Sequence, residues 1–395
     1  MEENKNKILN VPTLRFKNYD DNYREITLKD VCTLITKGTT PAKFSTNGIN
    51  FIKIDSLNGN YVDNSKVTHI NESIHNTLLS RSILEENDIL LAIAGATVGK
   101  HCIIQKSNLP ANTNQALAII RLNKHLLPYY LLAFFDTNYL PSYIKLICAA
   151  SAQPNLNLQQ VGQIKLNIPT IQEQEKVCHF IQLLDKRISV QNKIISDLKV
   201  LKKELCNKVF SKGSAVRLGG FIEEVTTRNK LNSCENVLSV SNKMGFIKQS
   251  EQFEDRTVAS ENKSNYKVVT EGCFAYNPAR INVGSIALLS TYKIGIISPM
   301  YVCFKAKSAL DSEYLNFYYQ SDFFYKELQK KLEGSVRQCL TYENMSEILI
   351  PYVGIEEQKA IAATLNKFAT LIANEEKYLK SLQKQKSYFL NAMFI

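Results

Sequence analysis

Between Gly95 and Lys100 the chain reads GATVGK, close to the spacing of a phosphate loop. A phosphate loop needs four residues between its glycines and a serine or threonine after the lysine, so that backbone amides cradle phosphate and the hydroxyl reaches magnesium. Here three residues separate the glycines and His101 follows. Asn277 to Arg280 reads NPAR, near the N-P-P-aromatic element of adenine methyltransferases. It lacks the second proline and the ring that would stack on a flipped base. No glycine-rich strand-to-helix turn for S-adenosylmethionine accompanies it. The nine cysteines are scattered singly without a C-x-x-C, and the five histidines form no H-x-x-x-H or H-E-x-x-H. That pattern argues against structural zinc and against a disulfide framework. No nucleophile–base constellation is visible; partners distant in sequence leave a degenerate enzymatic site open.

The turns offer something else, hydrogen-bonding side chains between strand-like runs. In the first part of the chain these are Lys37, Thr39, Thr40, Lys43, Lys53, Lys100, Asn112, Asn114, Gln115, Gln153 and Asn155. In the second they are Thr227, Arg228, Asn242, Lys243, Lys248, Arg256, Asn277, Arg280, Asn282, Ser298, Arg337 and Gln338. Arginine and lysine suit guanine O6 and N7, asparagine and glutamine suit adenine N6 and N7. Others of the set would clamp phosphates, which positions a protein on DNA without specifying sequence. For any single residue, an ordinary solvated turn is an equally good account.

The chain's balance supports a polyanionic partner: 395 residues carry a net charge of +11, with 45% hydrophobic residues. A lysine-rich surface without a specific partner is the alternative. The length allows two or more domains, each with its own core. The start, MEENKNKILNVP, has no apolar signal stretch, and no run approaches a membrane span. With free cysteines, this leads to the expectation of a cytoplasmic protein.

The elements that must position these turns occur twice, about 184 residues apart. IPTIQEQEKVCHFIQLLDKRI begins at Ile168 and IPYVGIEEQKAIAATLNKFATLI at Ile350. With Glu173-Gln174 set against Glu357-Gln358, Val177, Ile181, Leu184, Ile188, Ile195 and Leu198 match Ile361, Leu365, Phe368, Ile372, Leu379 and Leu382. These steps of four and three residues form an a/d heptad seam, and one polar position is shared, Gln191 against Glu375. Outside the first seam stand Lys186, Arg187, Lys193, Asp197, Lys199, Lys202 and Lys203, expected on the solvated face. A helix of about 40 residues is about 60 Å long, too long for the core of a small domain. The equal phase of the two seams predicts that the helices pair, antiparallel because a whole domain separates them.

The mixed blocks repeat more loosely. NDILLAIAGATVGKHCIIQ (from Asn87) aligns with GCFAYNPARINVGSIALL (from Gly272), and LLPYYLLAFFDTNYLPSYI (from Leu126) with DSEYLNFYYQSDFFYKEL (from Asp311). SKGSAVRLGG, from Ser211, is the clearest linker. The expected fold class is α+β: two mixed α/β domains related by pseudo-twofold symmetry, separated by two long helices packed as an antiparallel coiled coil. The expected boundaries are 1–167, 168–212, 213–350 and 351–395.

Over its whole length this pattern resembles the specificity subunit of type I restriction–modification enzymes. The residues carrying the resemblance are Ser151-Ala152-Gln153, Ile168-Pro169 and Glu173-Gln174 in the first copy. In the second they are Ser335-Val336-Arg337, Ile350-Pro351 and Glu357-Gln358. The opening VPTLRFKNYDDNYREITLKDV, from Val11, is also similar to the family's start, and its L-K-D-V is echoed by Leu218-Gly219-Gly220-Phe221. One departure is the two extra residues between Ile-Pro and Glu-Gln in the second copy, expected to alter the start of the second helix. The resemblance implies a non-catalytic chain with two target-recognition domains, each reading half of a bipartite double-stranded DNA site, and helices acting as a ruler. It implies docking of two methyltransferase subunits, which can further recruit two restriction subunits. S-adenosylmethionine, ATP and Mg would then be bound by those partners, with no cofactor in this chain. A self-contained DNA adenine methyltransferase or nuclease, and a non-specific basic scaffold, are the competing readings.

Overall fold

The structure, a computed structural model, describes residues 11–149, 154–242, 244–252, 263–332 and 338–395. The chain forms two compact units. The first joins the residues up to Gln191 with Tyr378–Ile395, and the second runs from Asn192 to Lys377.

In the first unit, Arg24–Thr27 pairs antiparallel with Lys165–Ile168. A four-stranded antiparallel sheet follows, in the order Cys32–Lys37, Leu117–Leu122, Ile89–Ala92, His101–Ile103. Its two central strands, Leu117–Leu122 and Ile89–Ala92, are apolar at every position but Arg121 because both faces are covered. Ile89, Leu91, Ala118 and Ile120 face the aromatic helices Pro128–Phe135 and Tyr139–Ile147. Leu90, Ala92, Leu117 and Ile119 line a separate core with Ile52 and Ala111. These last two come from a three-stranded sheet, Thr68–Ile70, Ile49–Ile52 and Ala111–Thr113, whose last pair is parallel.

The second unit repeats the end-strand pair and the four-stranded sheet of this plan, and its additional sheet has four strands in place of three. Ser214–Arg217 pairs antiparallel with Leu349–Tyr352. The four-stranded sheet is Ile222–Glu224, Val302–Ala306, Cys273–Tyr276, Ile286–Leu288. Phe274, Tyr276 and Phe304 face the helical side; Cys273, Ala275 and Cys303 face the other core. The additional sheet is Gly245–Lys248, Val237–Ser241, Ile294–Ile297, Lys267–Thr270, again with one parallel pair, Val237–Ser241 beside Ile294–Ile297. Leu28–Val31 and Leu218–Gly220 form matching 3-10 turns, the structural content of the L-K-D-V echo.

The long helices run from Ile171 to Phe210 and from Ile355 to Met393. Within the first unit Phe180 meets Phe389 edge-on at 4.9 Å, Asp185 meets Lys386 at 2.7 Å, and the Arg187 guanidinium bonds the Tyr378 hydroxyl. Within the second unit Lys199 pairs with Glu376 at 2.7 Å, while Cys206 and Phe210 share a core with Ala362 and Leu365. In both units the numbers rise on one helix as they fall on the other, so the pairing is antiparallel. All twelve seam positions are buried or half-buried.

Three expectations need correction. The heptad blocks do not begin as helix: Lys165–Ile168 and Leu349–Tyr352 are strands. The two extra residues of the second copy do not alter the helix start, which lies two residues before Glu-Gln in both copies. They are absorbed because the second strand continues past Ile350-Pro351 to Tyr352. Nor is the outer surface of the central helix uniformly charged. Lys202 is half-buried with its ammonium 5.1 Å from the Phe317 ring, and burial lowers its pKa. Leu183, Val190, Ile194 and Leu201 are exposed.

Candidate nucleic-acid interface

Several of the polar turn residues of the first unit come together at one end of its main sheet. Lys37 is exposed where its strand ends, and the chain then passes so close to Thr113 that a Cβ on Gly38 would lie 1.7 Å from the Thr113 carbonyl oxygen. Only glycine fits such an approach. The consequence is that Thr40 reaches Gln115, its hydroxyl donating to Oε1 at 2.6 Å, while Arg81 donates to the Thr39 hydroxyl at 3.1 Å. Asn114 accepts from the Ala116 amide at 3.1 Å and so shapes this turn. Lys43 is exposed, and Lys53 lies 5.2 Å from the centre of the exposed Phe44 ring. A bridge between Ala94 and Asn155 sets Asn155 beside the Gly95–Lys100 turn, where both Asn155 and Lys100 are exposed.

Asn112 does not belong with them. It is fully buried, its amide nitrogen donating to the Leu79 carbonyl at 3.0 Å and its oxygen meeting Nδ1 of the buried His75. It holds a core segment and cannot reach a base. Gln153, Lys243, Arg256 and Arg337 lie outside the described residues, as do the motifs Ser151-Ala152-Gln153 and Ser335-Val336-Arg337.

The second unit gathers its turns differently. Pro278–Val283, which contains most of NPAR, is a 3-10 turn whose N-cap, Asn277, accepts from the Ala279 amide at 3.1 Å. Asn242 donates to the Val283 carbonyl at 2.8 Å. The Asn277 amide nitrogen lies 4.0 Å from Met300 Sδ, and the Leu340 amide donates to the Pro278 carbonyl at 3.2 Å. These contacts bring Asn242, Asn277, Arg280 and Asn282 to one rim, with Ser298 two residues before Met300 and Gln338 two before Leu340; Arg280, Asn282 and Gln338 are exposed. Lys248 sits at the far end of its strand, level with Leu238, Ile297 and Lys267 across the additional sheet. Arg228 bridges Lys267 and donates to the Asn265 carbonyl at 3.1 Å; Thr227 beside it is exposed.

The framework beneath the two rims is held in the same way in each unit. Gln174 accepts from the Leu127 amide at 3.0 Å and donates to the carbonyls of His125 and Pro169, both at 3.1 Å. Gln358 accepts from the Asp311 amide at 2.8 Å and donates to the carbonyls of Ala309 at 3.2 Å and Val353 at 2.8 Å. Leu127 and Asp311 are the N-caps of matching aromatic helices, so each glutamine fixes the start of a long helix to the start of a short one.

With this geometry the sequence matches the type I restriction modification DNA specificity domain twice, at residues 20–200 and 203–384. The chain belongs to the family of type I restriction–modification specificity subunits. Relatives include the type I restriction enzyme MjaVIII specificity subunit of Methanocaldococcus jannaschii, 24% identical over 79% of each chain. The putative MjaX specificity subunit of the same organism is 25% identical over 93% of this chain and 91% of its own. Two solved structures share the fold. One was described as part of the structural basis of complex assembly and conformational transition of the type I R-M system; it has a TM-score of 0.60 at 14% identity over 94% of this chain and 97% of its own. The other is the specificity subunit from M. genitalium, with a TM-score of 0.57 at 13% identity over 98% and 99%.

This specificity subunit also contains polar anchors that the sequence reading did not pick out. Arg15 grips Glu173 with two hydrogen bonds of 2.8 Å, and the Tyr23 hydroxyl donates to the same carboxylate at 3.0 Å. Asp136 accepts from Asn60 and Lys386 at 2.9 Å and lies 3.2 Å from Nε2 of His101, whose Nδ1 meets the Gly99 carbonyl. Burial pulls the Asp136 carboxyl upward, but the His101 hydrogen bond and the Lys386 charge outweigh it and hold it well below the usual range. Burial likewise raises Asp185, against the opposing pull of Lys386. Burial pushes the thiols of Cys32, Cys102, Cys178 and Cys303 up to about 12 and that of Cys273 to about 11. Among the described residues no cluster of His, Cys, Asp and Glu could hold a metal, and no helix is long and apolar enough to cross a membrane.

Proposed function

We propose that this subunit reads a bipartite double-stranded DNA site, one half per unit, and itself performs no chemistry. The observation that carries this is the contrast between framework and rim: the glutamine clamps are the same in both units, whereas the rim residues differ in kind. Two copies of one scaffold with different hydrogen-bonding side chains suit two different base sequences. A net charge of +11 suits the phosphate backbone.

Two methyltransferase subunits, and two restriction subunits through them, are the proposed partners. S-adenosylmethionine, ATP and Mg would be bound there. Support for helix docking comes from exposed apolar residues of the central helix, Leu183 and Val190 in the first unit and Ile194 and Leu201 in the second, each pair spaced by seven. The helix pair would set the spacing between half-sites. The test is to express the subunit with its cognate methyltransferase subunit and map methylated sites across a genome. A bipartite motif that vanishes without this subunit supports the reading; methyl transfer by the purified subunit alone contradicts it.

A further inference from the structure

The rim of the second unit carries an apolar component that hydrogen-bond chemistry does not explain. Met244, Val283 and Met300 are 69%, 54% and 61% exposed. They are not scattered. Met244 is in the hairpin turn after Asn242, Asn242 bonds the Val283 carbonyl, and Met300 Sδ lies against the Asn277 amide. All three therefore stand beside polar residues of that rim, whose Arg280 and Asn282 are also exposed. Large apolar side chains grouped on a surface mark a binding face. Here their neighbours are a cation and amides, the groups suited to nucleic-acid edges. The rim of the first unit differs: Lys37, Thr40, Lys100, Gln115 and Asn155 are accompanied by one exposed ring, Phe44, covered by the Lys53 ammonium at 5.2 Å.

The apolar feature of the major groove is the C5-methyl group of thymine, which side chains read by direct contact. Resting on the reading proposed above, we propose that the second unit recognises thymine methyl groups in its half-site through Met244, Val283 and Met300. Methionine suits this role because its unbranched thioether moulds to the methyl group. Arg280 and Asn282 supply polar contacts to neighbouring bases or phosphates. A protein partner seated on the same patch is the other occupant the test must separate.

The test uses the complex of full-length subunit and methyltransferase on duplexes carrying the mapped site. In the half-site assigned to residues 213–350 by block exchange, each thymine is replaced by uracil, which removes only the methyl. At least one replacement should weaken binding about fourfold, the value of burying one methyl-sized group. In a Met244→Ala, Val283→Ala, Met300→Ala variant the thymine-to-uracil ratio should fall to about one. Equal binding of thymine and uracil duplexes overturns the proposal, as does a half-site without thymine or an unchanged ratio in the variant. Weaker assembly of the variant with methyltransferase in the absence of DNA, with the ratio unchanged, assigns the patch to a protein partner and also overturns it. A wild-type complex that selects no site at all contradicts the underlying reading instead.

Discussion

Gln174 and Gln358 make the same three hydrogen bonds in the two halves of the chain, each accepting one amide and donating to two carbonyls. Both side chains are fully buried. Duplication has thus preserved a complete polar solution and not merely an apolar pattern. Removing one such amide leaves a buried N–H and two carbonyls unsatisfied. Gln174→Ala and Gln358→Ala should each lower stability by at least about 1–3 kcal/mol. Denaturant unfolding of each variant checks this; a loss below about 0.5 kcal/mol in both would mean that water replaces the clamp freely.

Lys386 lies between Asp136 and Asp185, its side chain 16% exposed against 21% and 31% for the two carboxylates. Lys386→Met leaves two neighbouring acids without their cation. The expected cost is about 3 kcal/mol, the low end for broken buried pairs because these are partly solvated. The pH dependence has a definite sign. Asp136 has a folded pKa below its unfolded value, so its contribution is complete above about pH 4 and is lost as pH falls toward the folded value. Asp136→Asn should flatten that acid limb in a pH series of thermal melts.

Arg280 on the second rim and Asn112 in the core of the first unit should separate cleanly in their effects. Arg280 is exposed, so Arg280→Ala should cost about 1–3 kcal/mol of binding and relax one position of the motif if the arginine is bidentate to guanine. A uniform loss over all sequences assigns it to phosphate. Asn112 is buried, so Asn112→Ala should lower stability and leave the methylated motif unaltered. Site selection and melting curves on both variants distinguish the roles.

Helix length is the proposed source of the half-site spacing. Four residues inserted after Leu198 add about one turn, about 6 Å. That is close to two base pairs of B-DNA at about 34–36 Å per turn. The unread spacer should lengthen by about one or two base pairs with both half-sites retained. Inserting two residues should break the seam phase and lower the yield of assembled complex.

The seam was legible because heptad spacing is local, and every position from Val177 to Leu198 and from Ile361 to Leu382 in that reading packs as expected. The joining of Tyr378–Ile395 to the first unit was not. It depends on Leu14 donating to the Ala392 carbonyl and on Arg15 reaching Glu173, pairings that no local pattern announces. Only the ends of two strands, Ile168 and Pro351-Tyr352, fell inside the expected helices, because residues next to a long periodic run look like its beginning. Asn112 misleads because a polar residue next to turn residues reads as exposed, whereas its neighbours Ala111 and Thr113 are buried strand. Arg81 and the exposed Met244, Val283 and Met300 were missed for the opposite reason. Arg81 lies outside the strand-flanking turns, and the methionines and valine carry no base-pairing group.

The most direct test of the two-reader account is to replace residues 213–350 with the corresponding block of another specificity subunit and map methylated sites in the assembled complex. The account predicts that one half of the motif changes while the other half and the spacer stay as in the parent. A change in both halves, or in neither, in a complex that still methylates DNA would contradict it.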